Sequence, residues 1–357
     1  MALKFTTNEE IVRQARRRMN QESWDYLVGG SESETTMRRN RAGFERLAFL
    51  PRTLVDVTNV DTSTTLLGHK LRSPVILAPM GSLQTLDREG GVASTKAAAE
   101  FGTLHVVSSV TQPSLEDIAA ATTAPKIFQL YIRGDWAWLE ETLGRIKSAG
   151  YKALCITVDT AVQSRRERVM MNRLAKSAGS DRDPKYPASV TWELLDKIKE
   201  AIGLPIMVKG IATAADASLA VEHGVDAVWV SNHGGRQLDH NRGTMDMLPE
   251  IVGVVGGRTE IILDGGIQRG TDVAKALAMG AKAVAIGKLQ GWGLGADGAD
   301  GVKRVLEILT EELWVAMGLL GVTSVEQLTS AYVSAAEIVT PPHEMSSWVN
   351  LPGGRLL

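Results

Sequence analysis

Several features are scarce or missing in this sequence of 357 residues. Its one cysteine, Cys155, excludes an intramolecular disulfide and a cysteine-based zinc site. Because Cys155 lies inside the apolar run ALCITV, we interpret it as a small core residue. The formal net charge of −2 lacks the basic excess of nucleic-acid-binding proteins. With 44% apolar and 22% charged residues, the composition is that of an ordinary globular protein.

Long hydrophobic runs are also missing. No apolar stretch reaches the roughly 20 residues that span a bilayer, and the opening MALKFTTNEE lacks the apolar core of a signal peptide. We therefore expect a cytoplasmic protein with no membrane partner. Low-complexity segments and a Pro/Gly-rich linker are absent as well, so we expect one domain over residues 1–357.

What the sequence does contain is an alternation of strand-like and helix-like segments. Seven segments of helical periodicity lie between eight short apolar runs, and another follows the last run. The strand candidates are PVILAP (74–79), LHVVSS (104–109), KIFQLY (126–131), ALCITVD (153–159), PIMVKG (205–210), AVWVSN (227–232), EIILDGG (260–266) and AVAIGK (283–288). This alternation is typical of a parallel sheet covered by helices.

Eight such units favour an α/β fold, a (β/α)8 TIM barrel with an N-terminal helical extension. The expected parts are an extension at about 1–70 with helices at 8–19 and 21–28, a barrel at about 71–320 and a C-terminal tail at about 321–357. A doubly wound sheet is the alternative, although no strand is followed by the dinucleotide fingerprint GxGxxG. The longest polar gap, 172–189, would be a loop over the active face that could act as a mobile lid.

Reactive side chains gather at the predicted carboxyl ends of seven strands, where a (β/α)8 barrel builds its active site. They are Ser108 and Ser109, Gln129 and Tyr131, Thr157 and Asp159, Lys209, His233, Asp264 with Gly265 and Gly266, and Gly287 with Lys288. The glycine-rich ends of the last two strands favour a phosphate-bearing cofactor or substrate.

Each of these residues also has a structural interpretation. Asp159 could cap a helix, and His233 could be a satisfied histidine in its glycine-rich turn. Lys209, directly after PIMV, is expected in the barrel mouth as a Schiff-base amine or a fixed positive charge. Arg166 and Arg236 are either a carboxylate-binding pair beside the histidine or solvated surface charges.

Seven short motifs closely resemble those of the FMN-dependent 2-hydroxy acid oxidase/dehydrogenase family, which includes glycolate oxidase, lactate oxidase and mandelate dehydrogenase. They are SNHGGRQLD (231–239), AP (78–79), SS (108–109), FQLY (128–131), TVDT (157–160), VKG (208–210) and DGG (264–266). The similarity runs from about residue 20 to about residue 330, with the motifs in order. It implies FMN-dependent oxidation of an L-2-hydroxy acid to the 2-oxo acid, in a homotetramer whose flavin is reoxidised by oxygen or another acceptor.

The resemblance also implies catalytic and cofactor-binding roles. His233 is the implied active-site base, and Asp159 orients its imidazole. Tyr131 would hydrogen-bond the reacting oxygen, and Lys209 would stabilise the reduced flavin near its N1 and C2 carbonyl. The implied FMN contacts are Pro79, Met80, Gly81, Ser108, Gln129, Thr157, Lys209, Ser231, Asp264, Gly265, Gly266, Arg269, Gly287 and Lys288.

The implied substrate site uses Arg166 and Arg236 as a carboxylate clamp, with Tyr26 as their hydroxyl partner. Val110 stands where glycolate oxidase has a tryptophan, which predicts a smaller pocket wall and a substrate bulkier than glycolate. Gly81 replaces the alanine that is usual in oxygen-using members, and this favours a dehydrogenase.

The phosphate end departs from the family pattern. Gln268 and Lys288 stand where family members usually have arginines, which predicts weaker FMN binding even if the neighbouring Arg269 helps.

Three other functions are weighed against this one. A non-redox FMN-dependent isomerase on the same barrel would have little use for two carboxylate-binding arginines beside a histidine. A flavin-free aldolase using Lys209 predicts a colourless protein that borohydride traps with a carbonyl substrate. A binding module would not need His233, Asp159 and Lys209 together. Whether His233 removes the hydroxyl proton alongside hydride transfer, or the α-proton through a carbanion, stays open.

Overall fold

The computed structural model describes residues 4–172, 183–339, 341–342 and 346–348. Its strands are β1 (Leu47–Phe49), β2 (Thr64–Leu66), β3 (His69–Leu71), β4 (Val75–Leu77), β5 (Val106–Ser108), β6 (Ile127–Leu130), β7 (Leu154–Thr157), β8 (Ile206–Ile211), β9 (Ala227–Val230), β10 (Glu260–Leu263), β11 (Ala283–Ile286) and β12 (Val333–Ala335). Its α-helices are α1 (Asn8–Arg18), α2 (Gln21–Val28), α3 (Thr35–Glu45), α4 (Gly91–Phe101), α5 (Leu115–Ala120), α6 (Trp136–Ser148), α7 (Glu167–Met171), α8 (Lys185–Ala188), α9 (Trp192–Ile202), α10 (Ala214–Glu222), α11 (Thr244–Val255), α12 (Gly270–Ala278) and α13 (Lys288–Leu320).

The strands β4 to β11 form one eight-stranded parallel sheet, in the order β4-β11-β10-β9-β8-β7-β6-β5. The two edges meet, because Leu77 of β4 opposes His105 in a parallel bridge and its amide donates to the Leu104 carbonyl at 3.0 Å. The sheet is thus closed into a (β/α)8 barrel, and the doubly wound alternative is wrong. All eight predicted strands are present, each within its predicted segment or one residue beyond it.

Side chains alternate between the barrel interior and the helices, as the two-residue period of a strand requires. On β9, Val228 and Val230 pack towards the helices, whereas the fully buried Trp229 fills the interior. Cys155 also points inside, and burial raises the pKa of its thiol to about 12, in keeping with a core residue. The next inward-facing position on most strands is polar. The barrel is therefore apolar below and polar at its carboxyl end.

The predicted helices at 8–19 and 21–28 are confirmed as α1 and α2. The α3 helix was not predicted, and it packs against α11 beside the carboxyl ends of the strands. At the opposite end, the β2–β3 hairpin places Leu66 and Leu71 in the barrel-interior cluster. Across the described residues, no helix combines the length and the apolar character needed to cross a bilayer.

Candidate active site

A cavity of about 280 Å³ lies at the carboxyl ends of the barrel strands, as predicted for the site. All eight strand ends contribute to its wall, together with α2 and α3. The predicted site residues that line it are Tyr26, Pro79, Met80, Gly81, Val110, Tyr131, Arg166, Lys209, His233, Arg236, Asp264, Gly265, Gly266, Gly287 and Lys288. The other predicted site residues are not part of this lining; they are Ser108, Gln129, Thr157, Asp159, Ser231 and Arg269.

His233 and Asp159 form a hydrogen-bonded pair at the cavity wall. The Nδ1 atom of His233 lies 2.9 Å from Oδ1 of Asp159, so the helix-cap interpretation of Asp159 is wrong. Burial lowers the pKa of His233 and outweighs the opposing effect of the Asp159 carboxylate. Burial raises the pKa of Asp159, but its interactions with His233 and Lys209 lower the pKa further. The imidazole is therefore uncharged near neutral pH, and its Nε2 atom can accept a proton.

The backbone after β9 turns in the left-handed region for three successive residues. The φ angles are +59° at His233, +65° at Gly234 and +75° at Gly235. A Cβ atom on Gly235 would lie only 2.6 Å from the backbone nitrogen of Met37, so glycine is required there. A histidine in this conformation is uncommon, and such residues cluster at functional sites. The tight turn brings His233 and Arg236 to the same cavity.

Lys209 lies at the polar end of the barrel interior, between two carboxylates. Its Nζ donates to Oγ of Ser231 at 2.8 Å and lies 3.2 Å from Oδ2 of Asp264. The same hydroxyl donates to Oδ1 of Asp264 at 2.7 Å. Burial lowers the pKa of Lys209, but Asp264 and Asp159 raise it more, so the net shift is upward. Schiff-base chemistry needs a neutral amine, and this arrangement therefore favours a fixed positive charge.

Arg236 and Arg166 lie side by side in the cavity wall. One terminal nitrogen of Arg236 donates to the carbonyls of Tyr26 and Gly29, at 2.6 and 2.7 Å. Arg166 donates from Nε to the Arg236 carbonyl at 3.2 Å and from a terminal nitrogen to the Gln237 amide oxygen at 3.3 Å. Burial and the neighbouring charge of Arg166 lower the pKa of Arg236. An anion bound here would relieve this repulsion.

Two of the predicted FMN contacts carry a buried polar atom that has no hydrogen-bond partner among the described residues. These atoms are Nε2 of Gln129 and Oγ1 of Thr157. The Gln129 oxygen is already used, because it accepts from Oγ of Ser108 at 2.9 Å. An unpaired buried polar group costs about 1–3 kcal/mol. A bound group with carbonyl oxygens and ring nitrogens, such as the isoalloxazine of FMN, would satisfy both atoms.

The residues predicted to bind the phosphate, Lys288 and the Gly265–Gly266 turn, line the cavity. Nζ of Lys288 donates to the Val28 carbonyl at 2.7 Å, so α2 holds this cation. Gln268 also lines the cavity, but Arg269 does not. The Arg269 guanidinium lies 3.1 Å from Oε1 of Glu312, and this ion pair holds the guanidinium beside α13.

Sequence reasoning missed the contribution of α3. Asn40 exchanges amide hydrogen bonds with Asn232 at 2.9 and 2.7 Å, beneath the Gly265–Gly266 turn. Arg41 pairs with Asp272 at 2.7 Å and also lines the cavity. Both contacts join residues about two hundred positions apart, for which local periodicity carries no signal.

The predicted lid, residues 172–189, lies largely outside the described residues, because 173–182 are not among them. Its described part includes α8, and Pro184 and Pro187 line the cavity. Beside them, residues 160–163 after β7 complete this side of the wall.

Comparisons with known proteins show which family this chain belongs to. A family described as FMN-dependent dehydrogenase matches residues 15–335. A 2-hydroxyacid oxidase from Dictyostelium discoideum is 38% identical over 349 residues, covering 92% of this chain and 90% of the relative. An L-lactate oxidase from Nostoc sp. is 39% identical over 347 residues, covering 89% and 95%. A crystal structure of mandelate oxidase superposes with a TM-score of 0.88 at 35% identity, covering 93% of this chain and 99% of that one.

Proposed function

This chain belongs to the FMN-dependent dehydrogenase family, an FMN-dependent oxidoreductase group, and we propose that it oxidises an L-2-hydroxy acid to the 2-oxo acid with His233 as the base. One observation carries the proposal. A neutral imidazole held by Asp159 shares a cavity with two partly buried guanidiniums, Arg166 and Arg236. A base beside an anion site suits a substrate that is held by its carboxylate while it loses a proton.

The substrate carboxylate binds between Arg166 and Arg236 in this proposal. Guanidinium groups bind carboxylates through paired hydrogen bonds, and burial strengthens these bonds. Tyr26 supports the site, because its hydroxyl donates to the Gly81 carbonyl at 3.0 Å and its ring lies 5.0 Å from the Arg236 Cζ atom. Burial, with a smaller effect of Asp159, raises the pKa of Tyr131 to about 12. Tyr131 therefore keeps its proton and can donate it to the reacting oxygen.

His233 takes a proton from the substrate through Nε2, and Asp159 stabilises the imidazolium that forms. Bound FMN supplies the two-electron acceptor. Lys209 places a fixed positive charge beside the ring-binding end of the cavity, where it favours the arrival of negative charge. Gln129 and Thr157 would hold the ring through their unpaired atoms, and Lys288 would neutralise the phosphate.

The other functions weighed from the sequence fit less well. A non-redox flavin isomerase would have little use for two carboxylate-binding guanidiniums beside an imidazole, and a lysine aldolase needs an uncharged Lys209. A homotetramer, a cytoplasmic location and a preference for an electron acceptor other than oxygen stay predictions.

The first prediction is spectroscopic. Purified protein loaded with FMN is expected to lose its visible flavin absorption when L-lactate, L-mandelate or a longer L-2-hydroxy acid is added anaerobically. Glycine and acetate, which lack the oxidisable hydroxyl, serve as controls. Both should leave the flavin oxidised and its visible absorption unchanged. Failure of every hydroxy acid to bleach the flavin would contradict the proposal. On readmission of air, fast return of colour indicates an oxidase, and slow return indicates a dehydrogenase.

The second prediction concerns substrate size. Val110 lies beside Gly81 in a cavity whose apolar lining also includes Val162 and Pro184, and we propose that this lining receives the substrate side chain. Replacing Val110 with tryptophan is expected to lower the ratio of kcat/KM for mandelate over glycolate by at least about tenfold, since the larger side chain fills this space. Steady-state kinetics with both acids measure the ratio. An unchanged ratio would place the side chain elsewhere in the cavity.

A further inference from the structure

A short segment before α3 lies between the two loops that carry the arginines of the site. This bridging segment comprises residues 29–34. The Ser31 amide donates to the Gly235 carbonyl at 2.9 Å, and the Glu32 amide donates to the Arg165 carbonyl at 2.9 Å. The segment thus contacts the loop after β7 on one side and the loop after β9 on the other.

The Glu34 carboxylate ties the bridging segment to α7. Arg168 donates from Nε to Oε1 and from a terminal nitrogen to Oε2, both at 2.6 Å. The Gly30 amide also donates to Oε1, at 3.0 Å. Burial raises the pKa of Glu34, but Arg168 and the Gly30 amide lower it further, so the carboxylate is ionised at neutral pH. Two parallel bonds of this kind fix direction as well as distance.

The bridging segment is also joined to the cationic side chains of the cavity. The Gly29 carbonyl, with the carbonyl of Tyr26 just before the segment, accepts from Arg236. Arg166 lies two residues before Arg168, at the N-terminal end of α7. A displacement of the segment would therefore move the anchor of Arg236 and the loop of Arg166 together.

The backbone of the segment needs such support. Glu32 has a φ angle of +43° and Glu34 of +60°, in the left-handed region that side chains other than glycine seldom adopt. Residues in this region keep their conformation only when surrounding contacts hold them there. The Arg168–Glu34 pair is one of those contacts.

We propose that Glu34 and Arg168 are positioning residues for the substrate carboxylate. Their ion pair fixes the bridging segment between the two loops and so sets the distance between Arg166 and Arg236. Neither side chain touches the substrate. The inference rests on the proposed function, because it assigns the two arginines to substrate binding.

The test uses the FMN-loaded enzyme and the variants Glu34→Gln, Arg168→Met and the double variant. Each single variant is expected to raise KM for the hydroxy acid about tenfold and to change kcat by less than about twofold, since ground-state and transition-state binding of the carboxylate are weakened alike. The double variant should be no worse than either single variant, because both remove the same pair. Arg168→Lys, which keeps the charge without the paired bonds, should be intermediate.

A second pair provides the matched control. Arg145 donates to both carboxylate oxygens of Glu116, at 2.8 and 3.0 Å, between α5 and α6 and away from the cavity. Glu116→Gln removes the same kind of bidentate pair and should leave KM unchanged. A raised KM in this control would show that the effect is not specific to Glu34.

Binding of oxalate separates this inference from the proposed function. Oxalate has two carboxylates and no oxidisable hydrogen, so the shift that it causes in the flavin spectrum reports the carboxylate site without turnover. Its Kd should rise about tenfold in Glu34→Gln, in parallel with KM. If hydroxy acids fail to bleach the wild-type flavin, the proposed function fails, and the oxalate series alone decides this inference. Three results would overturn the positioning role of Glu34 and Arg168. The first is an unchanged oxalate Kd and KM with a lowered Tm, and the second is a wild-type enzyme that does not bind oxalate. The third is additive effects in the double variant.

Discussion

Replacing His233 with glutamine is expected to lower kcat for L-2-hydroxy acids by about 100- to 10,000-fold. The amide can still hydrogen-bond to Asp159 and has a similar size, but it cannot accept a proton. FMN binding and KM should stay close to wild-type values, because the ring-binding residues and the two arginines are unchanged. The rate of flavin bleaching in anaerobic rapid mixing measures the loss.

The pH profile provides the control for this variant. In the wild-type enzyme, kcat/KM should rise with pH as His233 loses its proton. Because burial lowers the pKa of this imidazole, the rising limb should lie below the ordinary histidine value of 6.5. In His233→Gln, the residual kcat/KM should no longer rise with pH over this range. A variant that kept both the rate and the limb would show that another group is the base.

Replacing Lys209 with methionine is expected to slow flavin reduction by about 100- to 1,000-fold, because a preorganised charge at the ring-binding end is lost. It should also lower the free energy of unfolding by about 3–5 kcal/mol, since Asp264 and Asp159 are left as buried carboxylates without their shared cation. Rapid mixing with the FMN-saturated variant measures the first effect, and urea unfolding with FMN in excess measures the second.

A second buried lysine separates the two effects. Lys126 precedes β6 at the other end of the barrel, where its Nζ donates to the Ala119 and Thr122 carbonyls at 3.0 and 2.7 Å. Lys126→Met should lower stability without slowing flavin reduction. Equal slowing in both variants would mean that the Lys209 effect comes from lost stability and not from its charge.

The barrel could be predicted from the sequence because its signal is local. Each strand is a short run that is apolar on both faces, such as AVWV at 227–230. The change to polar residues at its carboxyl end marks where the strand stops pairing with its neighbours. The positions of Lys209, His233 and Asp264 followed from that change. Their hydrogen bonds did not, since these depend on which neighbouring strand ends meet.

The unpredicted parts of the site come from contacts between distant positions. The α3 helix contains Gly43 and begins after a residue without a capping side chain, so it carries little helical signal. Its Arg41 meets Asp272, and Glu34 before it meets Arg168. For Arg269 the local sequence was misleading. Its place after the DGG motif predicted a contact with the FMN phosphate, whereas its guanidinium pairs with Glu312 of α13.

The bond between Lys288 and the Val28 carbonyl joins positions 260 residues apart. During synthesis, a growing chain can build most of the barrel while this last cation is still inside the ribosome. Domains generally fold as units, and contacts between distant positions form late. Under the proposed function, in which Lys288 neutralises the FMN phosphate, this contact places FMN binding among the last events of maturation. A chain that stops before β11 would leave the facing edges of β4 and β10 without the strand that joins them, and an open sheet edge of this kind can pair with other chains.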